Sequence, residues 1–151
     1  GPVPEQFYVT PYCANLASNG KDLTIVCLSA AIETVKEAIR KINLNNDFYS
    51  NIKINPDIID LRWVRPYDSR LINDSVRKTG HLLVVDTGWK HFSVSSEIIA
   101  AVCESSFSYL KKSPRRIAMA EAPCPASHFL EKRYHPDVDE IVKNIIELYS
   151  N

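Results

Sequence analysis

Three side chains with acid, aromatic and base character fall close together where an apolar run ends: Asp86, Trp89 and His91 in "VVDTGWKHFS". An imidazole oriented by a carboxylate is the arrangement of a general base, which would make Asp86 the orienting group and His91 the base. A base must act on a nucleophile or a substrate proton, and no such constellation is legible around this pair. The reading these residues favour is a packing or docking corner. Trp89 serves as a core or interface anchor and His91 is exposed, because large aromatics dominate packing and interface energetics. On that reading Trp89→Ala costs a few kcal/mol of assembly or stability, as truncation of a buried aromatic does.

Other clusters suggest chemistry less strongly. His128 and His135 stand seven apart with Cys124 nearby, a spacing that raises the question of a metal. Pro136 and the charged "EKR" between the histidines favour an exposed short helix instead, so no metal ligand is assigned. The four cysteines, Cys13, Cys27, Cys103 and Cys124, form no C-x-x-C pair, and two of them lie inside apolar runs where cysteine behaves as a small hydrophobe. Only four glycines occur, at positions 1, 20, 80 and 88, so neither a G-x-G-x-x-G turn nor a P-loop can be built. Lys111, Lys112, Arg115 and Arg116 read as a solvated basic patch near a helix end, with an acidic partner as the lesser alternative.

These residues need elements to hold them. "LTIVCL" (23–28), "DIIDL" (57–61) and "LLVVD" (82–86) are short apolar runs suited to strands buried on both faces, and "RRIAMA" (115–120) is a fourth, weaker one. Helices alternate with them. Ile32, Val35, Ile39 and Ile42 recur at helical spacing behind Ser29 as cap, while Leu71, Ile72 and Val76 follow Asp68 as cap and stop at Gly80. Ile98, Ile99, Val102, Cys103, Phe107 and Leu110 line one side of a long third helix. A terminal helix carries Ile141, Ile145 and Leu148 behind an Asp137/Glu140 capping box. The Asn-rich stretch around residues 44 to 56 reads as a surface excursion. Strand–helix alternation of this kind predicts an α/β architecture: a mainly parallel sheet with helices on both faces.

Composition narrows the function classes. The 151 residues contain 18 basic and 18 acidic side chains and 45% hydrophobic residues, which suits one core and gives no net pull toward nucleic acid or an anionic membrane. No apolar run approaches the roughly 18 residues needed to span a bilayer. The expectation is an intracellular protein with no nucleic-acid and no membrane partner. The proline-rich opening reads as a linker, with residues 1–20 a linker and lead-in strand and residues 21–151 the domain proper, a fragment of a longer chain.

Four segments in order, "GKDLTIVCLSAAIETVKEA", "IIDLRWVRPYDSRLINDSVRKTGHLLVVDTGW", "SSEIIAAVCE" and "APCPASHFLEKRYHPDVDEIV", resemble the C-terminal domain of the transketolase family. They are most similar to that domain in the β subunit of the thiamine-diphosphate-dependent 2-oxoacid dehydrogenases, the pyruvate and branched-chain group. The most specific matches are Asp60-Leu61-Arg62 with Pro66 and Asp68, Lys78 to Gly80, Gly88-Trp89, Glu97, and Pro123 with Pro125.

The resemblance implies a three-layer α/β/α sandwich with a mixed, mostly parallel sheet of about five strands. It implies no catalytic residue, cofactor ligand or metal ligand in this chain, with thiamine diphosphate and magnesium held elsewhere in the parent enzyme. Implied partners are the α subunit, a second β subunit and the dihydrolipoyl acyltransferase core, and the implied compartment is the cytoplasm, or the mitochondrial matrix in a eukaryote. The candidate partner interface is Trp89, His91, Phe92, Pro123 and Pro125. Two alternatives stand beside this: the corresponding domain of a transketolase or deoxyxylulose-phosphate-synthase-like enzyme, and a stand-alone module binding a small ligand where Asp86, His91 and Glu121 converge.

Overall fold

The computed structural model describes residues 8–44 and 52–149; the opening prolines and much of the Asn-rich stretch expected as a surface excursion lie outside them. In chain order the elements are β1 (Asn15–Ser18), β2 (Thr24–Cys27), α1 (Ala31–Leu44), β3 (Asp57–Asp60), α2 (Ser69–Thr79) and β4 (Leu82–Trp89). Next come α3 (Val94–Ser106), a 3-10 turn (Phe107–Tyr109), β5 (Arg115–Met119), α4 (His128–Glu131) and α5 (Val138–Tyr149).

The five strands form one sheet in the order β1-β3-β2-β4-β5. β2, β3, β4 and β5 run parallel, and β1 lies antiparallel along β3. Central β2 is buried on both faces, as its unbroken apolar run requires. Leu23, Ile25, Cys27, Leu83, Val85 and Ile117 meet α1 and α5 on one side of the sheet. Val26, Ile59, Leu82 and Val84 meet α2 and α3 on the other. Helices on both faces of a mixed, mostly parallel sheet make the three-layer α/β/α sandwich.

Local signals explain most boundaries. The Asp68 carboxylate accepts the Leu71 N–H at 3.1 Å, and α2 ends at Gly80, whose φ of 76° suits a residue without Cβ. Asp137 accepts the Glu140 N–H at 2.8 Å at the head of α5. Two expectations are corrected. Ser29 does not cap α1: the helix begins at Ala31, and Ser29 adopts φ 53° in a tight turn that joins it to buried β2. Phe107 does not extend the buried stripe of α3, because the helix stops at Ser106 and the 3-10 turn swings Phe107 out to 70% exposure.

At the edge where the parallel strands begin, the polar groups are closed over one another. Asp57, 1% exposed, accepts from the Gly20 N–H at 2.7 Å, from Ser75 Oγ at 2.6 Å and from Lys78 Nζ at 2.6 Å. Thr24 Oγ1 joins Ser75 at 2.6 Å and Thr79 at 2.8 Å. Gly20 fits only as glycine, since a Cβ there would stand 1.9 Å from the Asn55 carbonyl oxygen. The basic patch is likewise used internally. Lys111 Nζ approaches the Thr79 carbonyl at 3.4 Å, Lys112 Nζ donates to the Glu147 carbonyl at 3.1 Å, and Arg115 pairs with the Glu147 carboxylate.

Candidate functional site

The opposite edge, where the parallel strands end, is built around a break in register. Val85 faces Ile117 and Trp89 faces Met119, so four steps along β4 match two along β5. The extra residues bulge, and bulges re-aim side chains at the ends of strands. Asp86 fixes the bulge. It is 3% exposed, its Oδ1 accepts the Gly88 N–H at 2.8 Å, and its Oδ2 accepts the Ser95 N–H at 3.0 Å at the start of α3. A carboxylate at a helix N-terminus satisfies donors the helix leaves open and interacts favourably with its dipole.

Asp86 therefore spends both oxygens on backbone and does not orient His91. His91 Nδ1 instead contacts the carboxylate of Glu121, just beyond the end of β5, with both side chains exposed. The convergence of Asp86, His91 and Glu121 expected of a ligand crevice is thus only two-thirds realised: His91 and Glu121 meet, and Asp86 lies beneath them as a brace.

Trp89 is 59% exposed, and its Nε1 donates to the Tyr134 hydroxyl at 2.8 Å. It is not a core residue, so of the two outcomes expected of Trp89→Ala, lost assembly or lost stability, its exposure favours the first. Phe92 is wholly exposed, at 105%, with φ 54°. Trp89, His91, Phe92, Glu121, Ala122 and Pro123 line an open, mainly apolar pocket of about 290 Å³. The structure therefore gathers four of the five candidate interface residues. Pro125, half-buried, is not among the pocket's lining residues.

Two supporting residues escaped sequence reasoning. Arg116, assigned to the basic patch, reaches across from β5 to the Lys90 carbonyl at 2.9 Å and to Ser96 Oγ, pinning the loop that carries His91 and Phe92. Tyr134 is buried, holds Trp89 through its hydroxyl, and accepts the Ala120 N–H at 3.2 Å on its carbonyl, folding residues 120–134 back over the end of β5. An aromatic just ahead of a proline and a helix cap was the available signal. Its partner lies 45 residues away, beyond any local pattern.

A second crevice, at the ends of β2, β3 and β4, is lined by Leu28, Ser29, Asp60, Leu61, Arg62, Val64 and Thr87. Arg62 there pairs with Asp60 at 2.9 Å. Beneath it, burial and the neighbouring Asp60 push the Cys27 thiol up to about 12, which keeps it protonated and unreactive.

The family described as "Transketolase, C-terminal domain" matches residues 13–141. The chain belongs to that family. Among curated proteins it is 35% identical over 147 residues to "Pyruvate dehydrogenase E1 component subunit beta-1, mitochondrial" of Arabidopsis thaliana, a match covering 94% of this chain and 39% of that protein. It is 32% identical over 144 residues to the mitochondrial E1 β subunit of Saccharomyces cerevisiae, covering 95% of this chain and 38% of that one. It is 39% identical over 116 residues to the E1 β subunit of Mycoplasma genitalium, covering 76% and 33%. This transketolase C-terminal domain thus spans about two-fifths or less of the length of these relatives. A solved structure, "Split gene transketolase, inactive beta4 tetramer", shares the fold with a TM-score of 0.76 at 19% identity, over 98% of this chain and 47% of that one. The three curated relatives named here are all pyruvate dehydrogenase E1 β subunits.

Proposed function

We propose that this domain is the assembly and docking part of a thiamine-diphosphate-dependent 2-oxoacid dehydrogenase β subunit and does no chemistry in isolation. The observation that carries the reading is the exposed pair Trp89 and Phe92 beside an apolar pocket, on a loop braced from below by Asp86 and from the side by Arg116. Aromatic side chains presented on a rigid frame around a concave apolar surface are the make-up of interface anchors, and the rigid frame lowers the ordering cost of binding. The partner is another subunit or domain of the parent enzyme, the α subunit or a second β subunit, with the dihydrolipoyl acyltransferase core as a further candidate.

In this reading thiamine diphosphate and magnesium are held elsewhere in the parent, which oxidatively decarboxylates pyruvate or a related 2-oxoacid. The crevice at the ends of β2, β3 and β4 does not suit a diphosphate. Its one cation, Arg62, is already neutralised by Asp60, and that carboxylate would repel the ligand. The compartment follows the source, mitochondrial for the plant and yeast relatives by their names. Among the described residues no helix is long and apolar enough to cross a membrane.

The test is association in the parent enzyme. The full-length β subunit carrying Trp89→Ala and Phe92→Ser is expected to keep its thermal midpoint yet to co-purify poorly with its partner subunits and to lose 2-oxoacid oxidation in step with assembly. Wild-type association and activity in that double variant would remove the docking role. Turnover of pyruvate by the 151-residue chain alone would remove the architectural reading altogether.

A further inference from the structure

The segment between β5 and α5 carries a set of donor atoms that docking leaves unused. Cys124 Sγ, a carboxylate oxygen of Glu131 and an imidazole nitrogen of His135 all lie within 4.8 Å of one another, on exposed side chains. The sequence set Cys124, His128 and His135 aside because of the charged "EKR" between the histidines. The glutamate of that tripeptide is the third member of the group.

We propose that Cys124, Glu131 and His135 bind a divalent cation of the zinc class. One thiolate, one imidazole and one carboxylate form a borderline-soft donor set that zinc accepts readily, whereas magnesium and calcium take oxygen ligands. Zinc bonds of about 2.3 Å to sulfur and about 2.0–2.1 Å to nitrogen and oxygen place the ligand atoms of a tetrahedral site about 3.3–3.6 Å apart. Closing the group around an ion therefore takes movements of about 1 Å, within the reach of side-chain rotation. Three protein ligands leave a fourth position for water. On binding, the Cys124 thiol gives its proton to solvent and coordinates as thiolate.

The backbone favours the site. Cys124 stands between Pro123 and Pro125, whose rings restrict its backbone. Glu131 closes the single turn of α4, its N–H donating to the Ser127 carbonyl at 2.8 Å. His135 follows buried Tyr134, which is tied to the end of β5 through Ala120, and precedes Pro136. The nearby guanidinium of Arg133 sits 4.9 Å over the Phe129 ring, a contact of its own. His128 Nδ1 lies 3.6 Å from Glu131 Oε2, too far for a hydrogen bond, and stands outside the donor set. An ion here would clip residue 124 to residue 135 and stiffen the wall of the apolar pocket formed by Glu121 to Pro123. The proposal stands on this donor geometry and is independent of the docking reading.

The experiment uses the full chain, reduced and stripped with a chelator, then titrated with zinc against a chromophoric competitor while the thermal midpoint is followed. One zinc per chain and a rise in midpoint are expected, since a ligand bound only by the folded state stabilises it by mass action. Magnesium at the same concentration is expected to do neither. Cys124→Ser and His135→Gln should each weaken zinc binding by about tenfold or more, while His128→Gln should stay within about threefold of the parent. Cys13→Ser, which removes the other exposed thiol, should leave binding unchanged. Circular dichroism confirms that each variant is folded before it is counted. Less than half an equivalent of zinc per chain, or equal affinity in the parent, Cys124→Ser and His135→Gln, overturns the site.

Discussion

Two buried aspartates stand at opposite edges of the same sheet and do different work. Asp57, where the parallel strands begin, is enclosed by Gly20, Ser75 and Lys78 and linked through Ser75 to Thr24 and Thr79. Asp86, where they end, accepts two backbone N–H groups and holds a bulge that pushes Trp89 and Phe92 outward. One edge turns its polar groups inward and closes. The other uses a single carboxylate to keep an apolar surface open. On the proposed docking reading, stability and recognition fall at different ends of the strands, in keeping with the general placement of binding sites beyond the carboxyl ends of parallel sheets.

The largest effect that can break this comparison is at the closed edge. Asp57→Ala takes away the charged acceptor shared by Ser75 Oγ, the Gly20 N–H and the Lys78 ammonium, leaving Lys78 with Asn19 at 3.1 Å and Ser75 with Thr24 at 2.6 Å, and a loss of about 3 kcal/mol or more is expected in urea unfolding. A loss under about 1 kcal/mol would show that the network contributes little and that the two edges are alike. Asp86→Ala comes next, at about 2 kcal/mol, because the buried Ser95 N–H and the half-buried Gly88 N–H lose a charged acceptor. It should also cost partner association, by releasing the loop, and unchanged association would separate the brace from the surface it supports.

A smaller, pH-dependent effect belongs to the closed edge as well. His81 precedes β4, its Nδ1 is buried with no hydrogen-bond partner among the described residues, and burial, with Lys111 and Lys112 adding to it, holds its pKa below the ordinary 6.5. Its folded form therefore binds fewer protons than the unfolded chain. Stability is expected to be fully present above about 6.5 and to fall as pH drops from there toward the depressed folded value. His81→Gln should flatten that slope in denaturation midpoints measured between pH 7.5 and 5.5; an unaltered slope would assign the acid sensitivity to another group. The smallest stability effect is at the open edge, where Phe92→Ala should stay within about 0.5 kcal/mol of the parent by thermal melting. A larger loss would mean that Phe92 packs within the domain.

The sequence carried the layers because burial and periodicity are local quantities. The apolar runs of β2, β3 and β4, the cap at Asp68 and the stop at Gly80 each depend on neighbours a few residues away. The corner was legible as a place and not as a mechanism. Trp89, His91, Phe92 and Pro123 stood out by residue type, yet their arrangement depends on Arg116 reaching Lys90, on Tyr134 reaching Trp89, and on two extra residues in β4 opposite β5. No periodicity encodes such pairings. Ser29 and Phe107 were misread for the complementary reason: a plausible cap and an in-phase aromatic were both overridden by where the chain had to turn next.

The bulge at Asp86 also separates what the domain can change from what it must keep. Because its carboxylate bonds only to main chain, the exposed side chain at position 92 can be exchanged without disturbing the frame beneath it, whereas a change at position 89 also gives up the bond to Tyr134. A lineage could then acquire a new neighbour in its complex by substitution at the rim alone, with the layers below left as they are.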